Sequence, residues 1–153
     1  MTIQTTAGAT LHVSAAQPAT YDSTGYAALT WTAVGEITDL GEFGREYELI
    51  RHNPINTRAT KKLKGSYDEG SVQLQLASDT DDAGQILLKT ASTSDSDYSF
   101  KITMQNGDKY YAQAKVSKFK VQPGSVNNVV GLAVGLELTT NSAGVGIVEA
   151  LAP

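Results

Sequence analysis

The residue types best suited to moving protons or holding metals are scarce in this chain, which carries two histidines, His12 and His52, and no cysteine. Without a thiol there is no cysteine nucleophile, no thiolate metal site and no disulfide framework. The two histidines stand far apart in sequence and in no ligand spacing such as His-x-x-x-His, so each is read as an ordinary histidine rather than a catalytic or metal-binding one. Carboxylates gather at Asp79, Asp81 and Asp82 and again at Asp95 and Asp97. The first group lacks the alternating ligands, central glycine and closing glutamate of a calcium-binding EF-hand, and capping of a following helix is the better reading. The second group reads as a solvated turn. Gly41-Glu42-Phe43-Gly44 has neither the Lys-Ser/Thr of a phosphate-binding loop nor a helical pattern after it, and reads as a turn. No catalytic, cofactor-binding or metal-binding residue is assigned, and no cofactor is implied.

Two other groups suit recognition better than catalysis. Residues 51 to 64 contain Arg51, Arg58, Lys61, Lys62 and Lys64 and no acid, in a chain whose net charge is −4. With no aromatic residue for stacking on bases, this stretch reads as a segment that meets an acidic protein surface rather than nucleic acid. Tyr110-Tyr111 puts one ring on each face of a strand, as core and interface packing would.

The elements that must position these groups are mainly strands. Tyr98, Phe100, Ile102 and Met104 alternate with polar residues, and Asn106-Gly107-Asp108 supplies the positive φ of a hairpin turn before the chain returns from Lys109 to Val121. Along the return strand Ala112, Ala114 and Val116 hold one phase and Phe119 and Val121 the other, so a β-bulge is expected near Ser117 or Lys118. Val72, Leu74 and Leu76 make another strand, Tyr47 and Leu49 suggest one more, and Leu29 to Leu40 carries a strand or pair broken around Gly35. One helix is expected, with caps and first-turn acids at Asp79 to Asp82, apolar residues at Ala83, Ile86, Leu87 and Ala91, and its end near Ser92. In the final strand, Val130 to Leu138, the face carrying Gly131, Ala133 and Gly135 is nearly bare, which implies close approach by the helix or another subunit.

At 153 residues, 41% apolar and 18% charged, the chain is long enough for one core and not charged enough to stay disordered. It has no run near the roughly 18 apolar residues a membrane helix needs, and its start lacks the pattern of a secretory signal. Its acidic balance argues against gripping nucleic acid, though not against a surface past which DNA slides.

Taken together, Tyr26 to Gly44 (YAALTWTAVGEITDLGEFG), Asp82 to Ala91 (DAGQILLKTA) and Val129 to Leu138 (VVGLAVGLEL) resemble, in order, the corresponding parts of the major tail-tube proteins of long-tailed, non-contractile bacteriophages. The resemblance spans about residues 10 to 140. It implies a mainly β fold, a β-sandwich or barrel with one flanking α-helix, whose subunits close into hexameric rings that stack into a hollow tube for DNA delivery. It implies one tail-tube domain over 1–153, with an N-terminal arm at 1–9, a long stacking loop at 43–66 and a C-terminal arm at 139–153, and without the immunoglobulin-like domain some members add. Arg51, Arg58, Lys61, Lys62 and Lys64 would then serve inter-ring stacking, and Gly131, Ala133 and Gly135 would form a packing strand between subunits. The implied role is structural, not enzymatic. The implied partners are further copies of the chain, the tape-measure protein, the tail terminator and the tail-tip proteins. DNA would pass through the lumen without specific binding, no membrane would be involved, and the protein would sit in the virion tail after assembly in the host cytoplasm. The alternatives are the tube of a contractile tail or type VI secretion system, or a monomeric β-sandwich binding module.

Overall fold

The computed structural model describes residues 3–153. Of the expected arm at 1–9, Met1 and Thr2 lie outside the described residues; the remainder precedes the first strand, and the Gln4 side-chain oxygen accepts a bond of 3.1 Å from the Asn106 amide. The described residues form ten strands and two helices in the order β1 (Thr10–Ser14), α1 (Ser23–Ala27), β2 (Thr32–Val34), β3 (Ile37–Asp39), β4 (Glu46–His52), β5 (Lys61–Asp68), β6 (Ser71–Ala77), α2 (Ala83–Ser92), β7 (Tyr98–Thr103), β8 (Lys109–Gln122), β9 (Gly131–Thr139) and β10 (Val148–Ala150).

The main sheet is antiparallel and runs β2-β1-β7-β8-β9-β6-β3, with β10 beside the start of β8. The two ends of that order, β2 and β3, are consecutive in sequence and separated only by Gly35 and Glu36. One bent strand therefore joins both ends of the sheet, so the path returns on itself as in a barrel. At the bend Glu36 has φ 61°, a left-handed conformation unusual outside glycine, and its carbonyl accepts a 2.8 Å bond from the Ala77 amide.

Alternation explains which face is inside. Leu11 and Val13 of β1, Val72, Leu74 and Leu76 of β6, Tyr98, Phe100 and Ile102 of β7, Ala114 and Val116 of β8, and Leu132, Val134 and Leu136 of β9 make one cluster. Helix α2 adds Leu88 and Ala91 to it. Burying a leucine of this kind stabilises the fold by about 1.5–3 kcal/mol. The period-2 phase of β8 slips where the register shifts between Val116 and Lys118, so Phe119 resumes facing inward, opposite Val134. This is the bulge that the sequence pattern requires. The NG turn also forms as expected, with Gly107 at φ 97°.

Helix α2 is held by the bend it covers. Asp82 is the N-cap, accepting from the Gln85 amide at 3.0 Å and the Gly35 amide at 3.1 Å. The buried Gln85 side chain donates to the carbonyls of Gly35 and Ala77 and accepts from the Asp79 amide. A Cβ at Gly84 would run into the Ala33 carbonyl oxygen, so only glycine lets the helix sit this close to β2. The acids expected in the first turn all precede it instead.

The structure departs from the sequence reading at three places. A second, short helix, α1, lies over the outer face of β7 and β8, with Asp22 as its N-cap. There Tyr26 stacks on Tyr111 at 5.1 Å, and Gln113 bonds Tyr26 and Ser99, making a small second core too scattered in sequence to show a period. The segment 43–66, expected as a long loop, contains most of the β4–β5 hairpin. Of the arm at 139–153, residues 148–150 form β10, which pairs with Lys109 to Tyr111 of β8. On the small-residue face of β9, Ala133 and Gly135 are already buried within the one chain. What crowds Gly135 is Lys118, Ser117 and Gln73, reaching across from the strands on either side.

Candidate assembly surfaces

Chemistry is the first thing to look for, and the groups are not assembled for it. Among the described residues no three His, Cys, Asp or Glu side chains come close enough to hold a metal ion. His12 lies on β1 opposite Lys101 and its Nδ1 has no hydrogen-bond partner; burial, and then the Lys101 charge, lower its pKa from the ordinary value. His52 is at the end of β4 on the exposed hairpin, so the two histidines serve no common site. Asp79 and Asp81 form the turn that leads into α2, with the Asp79 carboxylate accepting from the Asp81 amide. Asp97 pairs with Lys115 on the surface. Among the described residues no helix is long and apolar enough to cross a membrane.

The hairpin is the unusual surface. Strands β4 and β5 pair only with each other, Ile50 opposite Leu63, Leu49 opposite Lys64 and Tyr47 opposite Tyr67, with a register shift between Tyr47 and Leu49. A two-stranded ribbon has no inside, and here every residue of both strands except Gly65 is exposed. Yet it carries Leu49, Ile50, Leu63 and, at the tip, Ile55, which is fully exposed. The pairing also sorts its charges. Arg51, Lys62 and Lys64 share one face with Tyr47, Leu49 and Tyr67, and the Lys64 ammonium lies 4.7 Å from the Tyr47 ring centre. Glu46, Glu48 and Asp68 sit toward the root of the other face, with Ile50, Leu63, His52 and Lys61 toward the tip. Arg58 is in the tip turn, which is closed by a 2.7 Å bond from Thr60 Oγ1 to Asn53 Oδ1. The five cations expected to act together are therefore distributed over one face, the tip and the opposite face.

The root is firmly built. Glu69 is almost fully buried, and the Arg45 guanidinium meets its Oε1 from Nε at 3.0 Å and Nη2 at 2.9 Å while lying 3.9 Å from the Tyr67 ring centre. Tyr67 Oη donates to the Gly144 carbonyl at 3.2 Å, tying the ribbon to the C-terminal segment. This lock was not legible in the sequence, since neither spacing nor pattern links residues 45, 69 and 144.

Gly131, Ala133 and Gly135 lie on a strand paired on both sides, by β6 and by β8, so β9 offers no free edge, and Ala133 and Gly135 are buried. The longest singly paired backbone in the main sheet, among the described residues, is that of β8 from Lys115 to Gln122, beyond the end of its pairing with β7.

A family model described as phage tail tube protein matches residues 4–145. Among solved structures, the chain is similar to one in the cryo-electron-microscopy structure of the anti-feeding prophage baseplate, with a TM-score of 0.65 at 9% identity, covering 91% of this chain and 93% of that one. It is also similar to the SPP1 tail tube, solved by solid-state NMR and cryo-electron microscopy, with a TM-score of 0.61 at 16% identity, covering 94% of this chain and 77% of that one. No curated protein matches the sequence. At these identities the structural likeness speaks to the fold alone.

Proposed function

From the premise that this chain belongs to the phage tail tube protein family, we propose that it closes into hexameric rings and that the rings stack head to tail through the β4–β5 hairpin into the hollow tube of a non-contractile phage tail. Members of the family self-assemble into tubes and associate with other tail components, and the family is structural rather than enzymatic. The finer reading is that DNA traverses this tube without specific binding, that the tape-measure protein fills the lumen during assembly in the host cytoplasm, and that terminator and tip proteins close the two ends.

The observation that carries the reading is the hairpin itself. It exposes apolar side chains on both faces of a ribbon that buries none of them, whereas the strands of the main sheet turn most of theirs into one core by alternation. Such a surface is stable in isolation only as a liability, and a repeating heterologous contact turns it into an assembly element. Basic residues at Arg51, Arg58, Lys61, Lys62 and Lys64 give that element a preference for an acidic receiving surface. Lateral closure of a ring would draw on the singly paired length of β8 from Lys115 to Gln122. On this reading residues 1–153 form one tube domain, with arms at both ends.

Negative-stain electron microscopy across a concentration series tests it. Rings and hollow tubes are expected from the unaltered chain. Neutralising Lys61, Lys62 and Lys64 together leaves a folded subunit that builds tubes poorly. Tube formation equal to that of the unaltered chain would remove the hairpin charges from the account.

A further inference from the structure

The register of β6 and β9 defines two poles of the barrel. Ser71 faces Glu137 at one and Ala77 faces Gly131 at the other, with about 20 Å between them along β6. The hairpin leaves from the first pole, since β5 ends at Asp68 just before Ser71. The second pole is built by residues 123–130, joining β8 to β9, and by the turn that follows β6. The two are tied together by a 2.8 Å bond from the Ser78 amide to the Val130 carbonyl.

This second pole has what the hairpin lacks. Val126 is 98% exposed and Val129 76%, large apolar side chains on a connection that could have been polar throughout. Beside them is an open hollow of about 470 Å³ lined by Leu76, Ala77, Gln122, Asn127, Asn128 and Val129 among others. The exposed acids Asp79 and Asp81 follow Ser78 directly. One pole therefore presents an isoleucine at the tip of a basic ribbon, and the opposite pole presents a hollow, valines and exposed carboxylates.

We infer that Ile55, with Arg58 and Lys61, docks on the opposite pole of a second copy of the chain, at the hollow beside Val129 and Val126 and against Asp79 and Asp81. The inference rests on the head-to-tail reading above and adds the receiving surface to it. Within one chain the two surfaces lie at opposite ends of the sheet, so each copy gives its hairpin to one neighbour and receives the hairpin of another. Seven residues of strand make a ribbon about 23 Å long, enough to carry Ile55 well away from its root. Apolar contact at the tip would supply most of the affinity, and the flanking charges would fix register and direction.

The chain has no cysteine, which makes cross-linking specific. The double variant Ile55→Cys/Val126→Cys is assembled into tubes, oxidised mildly and run on a non-reducing gel. Because each chain would bond two different neighbours, the inference predicts a ladder extending beyond the dimer. The control Ile55→Cys/Asn106→Cys, whose second cysteine sits in the β7–β8 turn at the hairpin's own pole, gives no ladder. Tubes of ordinary appearance with no ladder, or an equal ladder in the control, would overturn the docking site while leaving the tube reading intact. Failure of the unaltered chain to form rings or tubes at any concentration would instead overturn the stacking reading and the inference with it. Should the cysteine variants fold but not assemble, charge exchange decides the matter. Lys61→Glu with Arg58→Glu stops tube growth, and adding Asp79→Lys with Asp81→Lys restores it; no restoration counts against the site.

Discussion

The barrel and the hairpin are built from the same kind of strand and obey opposite rules. In β6, Val72, Leu74 and Leu76 all point into one core while Ser71 and Gln73 face out. In β4 and β5 apolar and charged side chains occur on both faces, and neither face is covered. A strand whose alternation is strict has its partner within the chain. A ribbon with apolar residues on both sides has no such partner within the chain, which on the proposed reading a second copy supplies, and it is held to the barrel at its root by Arg45, Glu69 and Tyr67.

The largest effect that separates the two regions is the cost of truncating a leucine. Leu74→Ala removes a fully buried side chain from the middle of β6 and should lower unfolding free energy by about 2–5 kcal/mol in urea titration. Leu63→Ala, in the hairpin, should change the stability of the unassembled subunit by less than about 0.5 kcal/mol. A comparable loss for both would mean that the ribbon has a hidden packing partner in the monomer.

A smaller effect belongs to the barrel's outer face. The folded-state pKa of His12 is lowered, chiefly by burial and then by Lys101, so between that value and 6.5 the unfolded chain binds a proton that the folded chain refuses. Stability from this group is complete above pH 6.5 and declines as pH falls from 6.5 to the folded value. His12→Gln should flatten that part of the pH profile. A profile unchanged by the substitution would show that other groups set the slope.

Much of the barrel was legible because burial imprints a period. The alternation from Tyr98 to Met104, the glycine of the 104–108 turn, the slip of phase near Ser117 and the Asp82 cap all follow from local chemistry, and each appears in the structure. The second strand of the hairpin was not legible for the converse reason. Lys61 to Asp68 has no buried face, so no alternation marks it, and Lys61, Lys62 and Lys64 among mostly polar residues look like a loop. Helix α1 has five residues, too few to show a 3.6-residue period, and β10 has three, held by pairing with β8. The bare face of β9 was visible as a pattern, but which atoms fill it depends on Lys118 and Gln73, placed there by strand order rather than by anything near Gly135 in sequence. The assembly surfaces share this difficulty. The hairpin charges could be counted in the sequence, but the hollow at the other pole is made by residues from three separate stretches, at Thr38, Gln75 to Ala77 and Gln122 to Gly131.

The central claim is that the barrel is complete within one chain and the hairpin is completed by another. Hydrogen–deuterium exchange, followed by mass spectrometry on the dilute subunit and on assembled tubes, tests it most directly. The account predicts slow exchange for β6, β8 and β9 in both states, and fast exchange in β4 and β5 of the subunit that becomes slow in the tube. Equal protection of β4 and β5 in the two states, whether high or low, would contradict it.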